Sequence, residues 1–355
     1  MTADLSELHD DLRAVAAGLL AGSPGWRQIA DAGWLGLEAP AGLGGAGAGF
    51  AEVAVVLREM GRAAAPGPYL SVAVLAAGAL GLAAPAPHRD DLLRATVSGE
   101  AVPVLALPAE TPGIPFRIDG TRLSGTAAFV PDAPVADHLL VPALDPGGVP
   151  RVVVLDPRTP GLTITEQPVV DATRTFGQIV ADDVRPGPEL RLGGGALQRL
   201  HDRAAVAIAC DSLGLSEAML DATVAYAGIR EQFGRKIGSF QAVKHACADM
   251  LVRISVARKL VDVAVRAQAH DEADGPATAS VTAPVTASVA ASMAKSYACA
   301  AAVEIAGKAM QLHGGLGYTW ESGVHVHLKR AALNRALYGT PAHHRRRLSA
   351  RYRRE

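Results

Sequence analysis

Residues 226–250 read "YAGIREQFGRKIGSFQAVKHACADM": the end of one apolar helix, a break at Phe233 and Gly234, a short basic connector, and the start of a second helix through Gln241, Lys244 and His245. Apolar spacing predicts helices over 197–228, 239–270, 283–311 and about 324–337, and long helices joined by short connectors pack as an antiparallel bundle. Arg230, Gln232, Arg235 and Lys236 cluster beside a helix terminus, where charge-assisted hydrogen bonds can hold phosphate. The same four residues equally suit a solvated turn between two helices.

Upstream of the bundle the texture changes twice. Residues 1–98 predict helices broken by Gly and Pro, as in "LSELHDDLRAVAAGLL" and "FAEVAVVLREMGRAA". From 99 to 188 short Val, Leu and Ile runs alternate with Pro, Gly and Asp, which predicts strands and turns of a small β-barrel or sandwich domain. The expected organisation is thus mainly α, of the α+β class: an N-terminal helical domain (1–98), a β domain (99–188) and a C-terminal four-helix bundle (189–355). The Ala, Thr, Ser and Pro run at 271–290 reads as a loop or ragged helix start.

Composition narrows the function. With 355 residues the chain is long enough for several domains and a buried ligand site. Lys and Arg number 34 against 35 Asp and Glu, so no basic field favours nucleic acid or an anionic membrane. The three cysteines are far apart, without a CxxC pair, which predicts buried thiols in a reducing compartment. The N-terminus lacks the pattern of an export signal, so a cytoplasmic location is expected. The apolar run "YLSVAVLAAGALGLAAPAP" (69–87) is built of Ala and Gly and ends in Pro, which reads as a buried helix. His325, His327, His343 and His344 lack the spacing of a metal site, and none is expected. The tail "RRRLSARYRRE" reads as a solvated helix face, with contact to ligand phosphates or a partner subunit as the alternative.

A second dense stretch, "QLHGGLGYTWESGVHVHLKRA" (311–331), places Gly314, Gly315 and Gly317 after a helix, with Gln311, Tyr318 and Trp320 beside them. Glycines let backbone amides approach a ligand closely. The spacing and the preceding helix set it apart from a dinucleotide-binding fingerprint.

Together these stretches resemble the acyl-CoA dehydrogenase family over about residues 26–345. The flavin-contacting motif between two bundle helices is matched by Arg230, Gln232, Phe233 and Gly234, continuing through Ile237, Gln241, Lys244, His245 and Asp249. The later Gln-x-x-Gly-Gly-x-Gly-Tyr motif is matched by Gln311, Gly314, Gly315, Gly317 and Tyr318, and the block from Ala32 to Leu70 is similar to the N-terminal helical domain. The resemblance implies FAD held in extended form at a subunit interface, with Arg230 and Gln232 contacting the flavin cofactor of one protomer. Gln311 and the glycines would reach its ADP portion across the dimer. It also implies α,β-dehydrogenation of an acyl thioester, on CoA or a carrier protein, in which a carboxylate removes the α-proton while the flavin accepts the β-hydride.

The chain departs from that pattern at the base. The family's Tyr-Glu-Gly-Thr turn becomes Tyr-Gly-Thr here, and aligning Gly339 and Thr340 puts Tyr338 where the Glu belongs. Some relatives place the Glu on the helix before the Arg230 motif, and counting back from Arg230 without gaps puts Ala204 there. A phenol, with a reference pKa of about 10, is poorly matched to the task at neutral pH. Asp211, flanked by Cys210 and Ser212 on an apolar helix, is the substitute base to consider. In the β domain only Glu110, Phe129 and Val130 keep partial similarity to the flavin-facing loops, and Pro131 has no N–H to offer. The expected protein is the base-less subunit of a heteromeric flavoenzyme. The alternatives are a stand-alone enzyme with a relocated base and a flavin-free, thioester-binding scaffold.

Overall fold

A computed structural model describes residues 6–110, 113–274 and 286–352. The chain forms two compact units. One takes the stretch through Ala21, Ala54–Ala65 and everything from Ala205 onward; the other takes Gly22–Val53 and Pro66–Ala204.

The second unit holds the sheet. Its short helices are α2 (Trp26–Asp31), the opening of α3 (Phe50–Arg62), a π-helical stretch at Leu70–Ala76 running into α4 (Ala77–Leu82), and α5 (Pro87–Val97). The apolar run at 69–87 is helical as far as Leu82, with Leu70 through Ala76 all buried, whereas Gly81, Ala84, Pro85 and Pro87 are exposed. Among the described residues no helix is long and apolar enough to cross a membrane.

Eight strands follow: β1 (Pro103–Leu105), β2 (Phe116–Asp119), β3 (Arg122–Pro131), β4 (His138–Leu144), β5 (Pro150–Leu155), β6 (Leu162–Glu166), β7 (Phe176–Val184) and β8 (Glu189–Leu190). They form one mixed sheet in the order β6-β7-β3-β2-β4-β5-β8, with β1 added parallel to β4. Val104, Phe116, Leu123, Leu139, Val153 and Ile179 share its core. Phe129, Val130 and Pro131, compared above with a flavin-facing loop, are the last three residues of β3. A buried cation anchors the helical side of this unit: Arg203 pairs with Glu38, donates to the Val74 carbonyl at 2.8 Å, and lies over the Phe50 ring at 4.5 Å.

The first unit is helical: α1 (Ser6–Ala21), the end of α3, most of α6 (Ala196–Ile229), α7 (Gln241–Asp274), α8 (Ala287–His313), α9 (Val324–Ala336) and α10 (Pro341–Tyr352). These bounds fall close to those expected from sequence. Most of the loop read at 271–290 lies outside the described residues. From 202 to 217 every residue of α6 is buried, the charged Asp211 and Glu217 included. Small residues let α3 and α6 touch backbone to backbone. A Cβ at Gly61 would overlap the Asp211 carbonyl, and one at Gly214 the Arg58 carbonyl.

Glu217, buried on α6, accepts from Arg58 of α3 at 2.7 Å and from Arg258 of α7 at 2.7 Å, so one carboxylate ties three helices. Gly61→Ala or Gly214→Ala should force α3 and α6 apart, with a loss of about 1–3 kcal/mol read from the denaturant midpoint. Gly228→Ala, where a Cβ meets nothing within 4 Å, should leave the midpoint unchanged or raise it.

Candidate functional site

The helical unit folds the Arg230 stretch into a tight hairpin. After α6 ends at Ile229, β9 (Glu231–Gln232) and β10 (Arg235–Lys236) pair with Gln232 opposite Arg235, and the Ile237 amide closes back on the Arg230 carbonyl at 2.8 Å. Phe233 and Gly234 form the two-residue loop with φ of 54° and 73°, the left-handed pair such a turn requires. Glycine adopts this freely; phenylalanine does so at a cost of roughly 1–2 kcal/mol. The hairpin thus presents the Phe233 ring, 92% exposed, beside the exposed donors Arg230, Gln232, Arg235 and Lys236.

Gln311 lies in the last turn of α8, and Gly314, at φ 60°, ends that helix. Gln311, Gly314 and Gly315 are exposed, while Gly317 is buried, where a Cβ would come within 3.0 Å of the Met310 carbonyl. Tyr226 stacks on His313 with ring centroids 4.6 Å apart. The two motif stretches, distant in sequence, therefore meet at one end of the helical unit. A cavity of about 410 Å³ opens beside the hairpin, lined by Val224, Gly228, Lys236, Ser239, Lys244 and Cys247. Apolar walls and two ammonium groups suit a ligand with one anionic part and one apolar part.

The Tyr-Gly-Thr turn joins α9 to α10. Tyr338 and Gly339 are both left-handed, with φ of 51° and 94°, and both are buried. Thr340 caps α10: its Oγ1 accepts from the His343 amide at 3.2 Å. His344 reaches back to the Tyr338 carbonyl at 2.9 Å through Nε2 and meets Ser292 Oγ at 3.2 Å through Nδ1. Burial pushes the His344 pKa down to about 4, so the ring is neutral at pH 7. A carbonyl only accepts, so Nε2 carries the proton and Nδ1 accepts from the serine hydroxyl.

Asp211 sits below this turn, 1% exposed. Arg330 of α9 donates to it through Nε at 3.0 Å and Nη2 at 2.5 Å, and Asn334 Nδ2 donates to Oδ2 at 2.6 Å. Both oxygens are committed to a buried cation and an amide. Ala204, the other family position for a base, is fully buried.

In the sheet unit, Phe129 stands at a break in the β3–β7 register between Ala127 and Val130. It is left-handed at φ 49°, its amide donates to Gln167 Oε1 at 2.6 Å, and its carbonyl accepts from the Ala109 amide at 3.3 Å. Bulges of this kind re-aim side chains next to functional sites. Phe129 lines a cavity of about 320 Å³ together with Glu110, Ile114, Thr126 and Ala128. Val130 instead belongs to the β core, at 0% exposure.

Thr126, Gln167 and Lys295 did not stand out in the sequence. Thr126 supplies the sheet cavity with a hydroxyl, and Gln167 fixes Phe129 from another strand's end. Lys295, a lone cation in the Ala-rich run "ASMAKSYACAAAV" (291–303), carried the same signal that drew attention to Asp211, a charge on an apolar helix.

Known proteins match this architecture along the whole chain. Residues 9–100 match the acyl-CoA dehydrogenase N-terminal domain and residues 194–352 the acyl-CoA dehydrogenase C-terminal domain. The acyl-CoA dehydrogenase IpdE2 of Mycolicibacterium smegmatis is 30% identical over 98% of this chain and 95% of its own. In the ChsE4–ChsE5 complex of Mycobacterium tuberculosis, a chain superposes with a TM-score of 0.86 at 27% identity, all of both chains being covered. A glutaryl-CoA dehydrogenase of Mycobacterium smegmatis, solved with FADH2, shares the fold at a TM-score of 0.80 and 20% identity, over 97% of this chain and 93% of that one. With both domain models and a full-length relative in agreement, the chain belongs to the acyl-CoA dehydrogenase family.

Proposed function

We propose that the chain is the FAD-binding, base-less subunit of a heteromeric acyl-CoA dehydrogenase, with a related sister chain contributing the carboxylate. One observation carries the reading: the donors that would hold the cofactor are present and exposed, while both family positions for the base are filled by side chains that cannot serve, Tyr338 and Ala204.

The donor set fits FAD. Arg230, Lys236 and Lys244 suit the pyrophosphate, Gln232 and Gln311 offer amides, and the exposed backbone at Gly314 and Gly315 leaves room for close approach. Phe233 supplies an aromatic face. When bound, the flavin accepts the β-hydride of the acyl thioester. What this chain does is hold the cofactor, shape the site and exclude water.

Proton removal falls elsewhere. A phenol, whose reference pKa is about 10, is a poor chemical match for the α-proton, and Tyr338 is buried. Asp211 is an anchor: a carboxylate already bonded to a guanidinium and an amide, without access to water, is a weak acceptor. Exposed apolar side chains support an oligomer, since Ile229 is 74%, Val252 63% and Leu251 51% exposed on the helical unit. The matched ChsE4–ChsE5 structure is a complex of two different chains.

The test is steady-state dehydrogenation of an acyl-CoA with an artificial electron acceptor. The chain alone should turn over no faster than background, and adding a Glu-bearing sister should restore activity at least a hundredfold. Rapid turnover by the pure homomer would overturn the reading, and a chain that takes up no flavin even with its sister would favour a scaffold. Asp211→Asn should leave Arg330 buried without its counter-charge and cost about 3–5 kcal/mol in unfolding free energy, while turnover of the assembled enzyme persists wherever it folds. Lost turnover at an unchanged denaturation midpoint would instead make Asp211 the base.

A further inference from the structure

Lys295 is the largest departure from apolar character inside α8. Its side chain is fully buried, and a buried ammonium is expensive unless its N–H groups are taken. Desolvation draws its pKa below the usual lysine range, with Cys299 one turn on opposing the shift. A leucine or methionine would fill the same space without that cost, so the cation has to be explained by its partners.

Those partners are two carbonyls. Nζ donates to Asn334 O at 3.0 Å and to Gly339 O at 2.9 Å. Asn334 lies in the last turn of α9, where helix geometry leaves carbonyls without intrahelical donors. Gly339 is the centre of the turn that follows. One ammonium therefore brackets the turn, and His344 holds the carbonyl between, that of Tyr338. Two consecutive left-handed residues, one of them a tyrosine, persist only where the surroundings over-determine them.

The frame continues downward. The Asn334 side chain donates to Asp211 at 2.6 Å and to Ser212 Oγ at 3.3 Å, and Ser212 lies 3.4 Å from Cys299. The end of α9 is thereby tied to α6 by its side chains and to α8 by its backbone.

We propose that Lys295 is a positioning residue that fixes the left-handed Tyr338–Gly339 turn, and with it the direction in which residue 338 is presented, with His344 as the second anchor. Its meaning for the dehydrogenase rests on the function proposed above: the chain keeps the frame of the base turn after losing the base, so the turn serves as a shaped wall of the acyl site. The clamp itself is a property of the fold with or without flavin.

The experiment uses the full chain labelled with 3-fluorotyrosine, read by 19F NMR and by hydrogen exchange. There are six tyrosines, and Tyr338→Phe assigns the one resonance. In Lys295→Met the Tyr338 resonance should shift or broaden while the others hold, and amide exchange over 337–344 should rise at least tenfold with α6 and α7 unchanged. Gly339→Ala provides a second probe, since its Cβ would come within 2.8 Å of His344 Nε2 and 2.9 Å of His343. It should produce the same local response.

A folded Lys295→Met protein with an unmoved Tyr338 signal and unmoved exchange would overturn the proposal, as would loosening spread evenly over all helices. If Lys295→Met does not fold, Gly339→Ala decides: a response confined to 337–344 supports the clamp, and none overturns it. Flavin content, measured on the same samples by absorption, separates the two readings. A local response in a flavin-free chain keeps the clamp and removes the dehydrogenase role; an unmoved turn in a flavin-loaded chain does the reverse.

Discussion

A carboxylate and a guanidinium removed from water have to find each other, and the pairing of Asp211 with Arg330 sets the geometry of much of the helical unit. Asp211 is carried by α6, the helix buried on all sides, at the level where α3 passes so closely that only glycine is tolerated at residue 61. Arg330 and Asn334 grip it from successive turns of α9. The end of α9 then has one place to go, and the turn leading into α10 hangs from it. Lys295 and His344 complete the arrangement by taking the carbonyls that the turn leaves open.

This ordering explains why the charged residues inside the bundle are distributed as they are. Three buried charges each touch more than one element: Glu217 ties α3, α6 and α7; Asp211 ties α6 to α9; Lys295 ties α8 to the end of α9 and the turn. Buried pairs of this kind contribute little net stability compared with apolar replacements, yet they specify register strongly, because a shift by one residue strands a charge. The exposed charges at the Arg230 hairpin behave in the opposite way. They hold no fold together and are left open to a ligand or another chain.

Much of this was legible in sequence because it is local. Helix lengths follow from apolar periodicity, and Arg230, Gln232, Phe233 and Gly234 lie within one hairpin, so their proximity needs no tertiary information. That a tyrosine precedes Gly339 was equally plain, since it is a matter of counting residues. What stayed hidden depends on contacts between elements. Lys295 meets residues 39 and 44 positions away, and the role of Asp211 as an anchor depends on Arg330, three helices later. Phe129 defied expectation for another reason: a left-handed aromatic is disfavoured by its own propensity and is held there by Gln167 from a different strand. Thr126 escaped notice because strand β3 was compared with a loop, and its position on the cavity wall follows only from the pleat.

The central claim is that this chain keeps a flavin site complete except for a carboxylate at residue 338. The most direct measurement is the visible flavin band of the purified protein after anaerobic addition of an acyl-CoA, compared between the natural chain and Tyr338→Glu. The account predicts a band that persists in the natural chain and bleaches in the glutamate variant. Rapid bleaching of the natural chain on its own would contradict it.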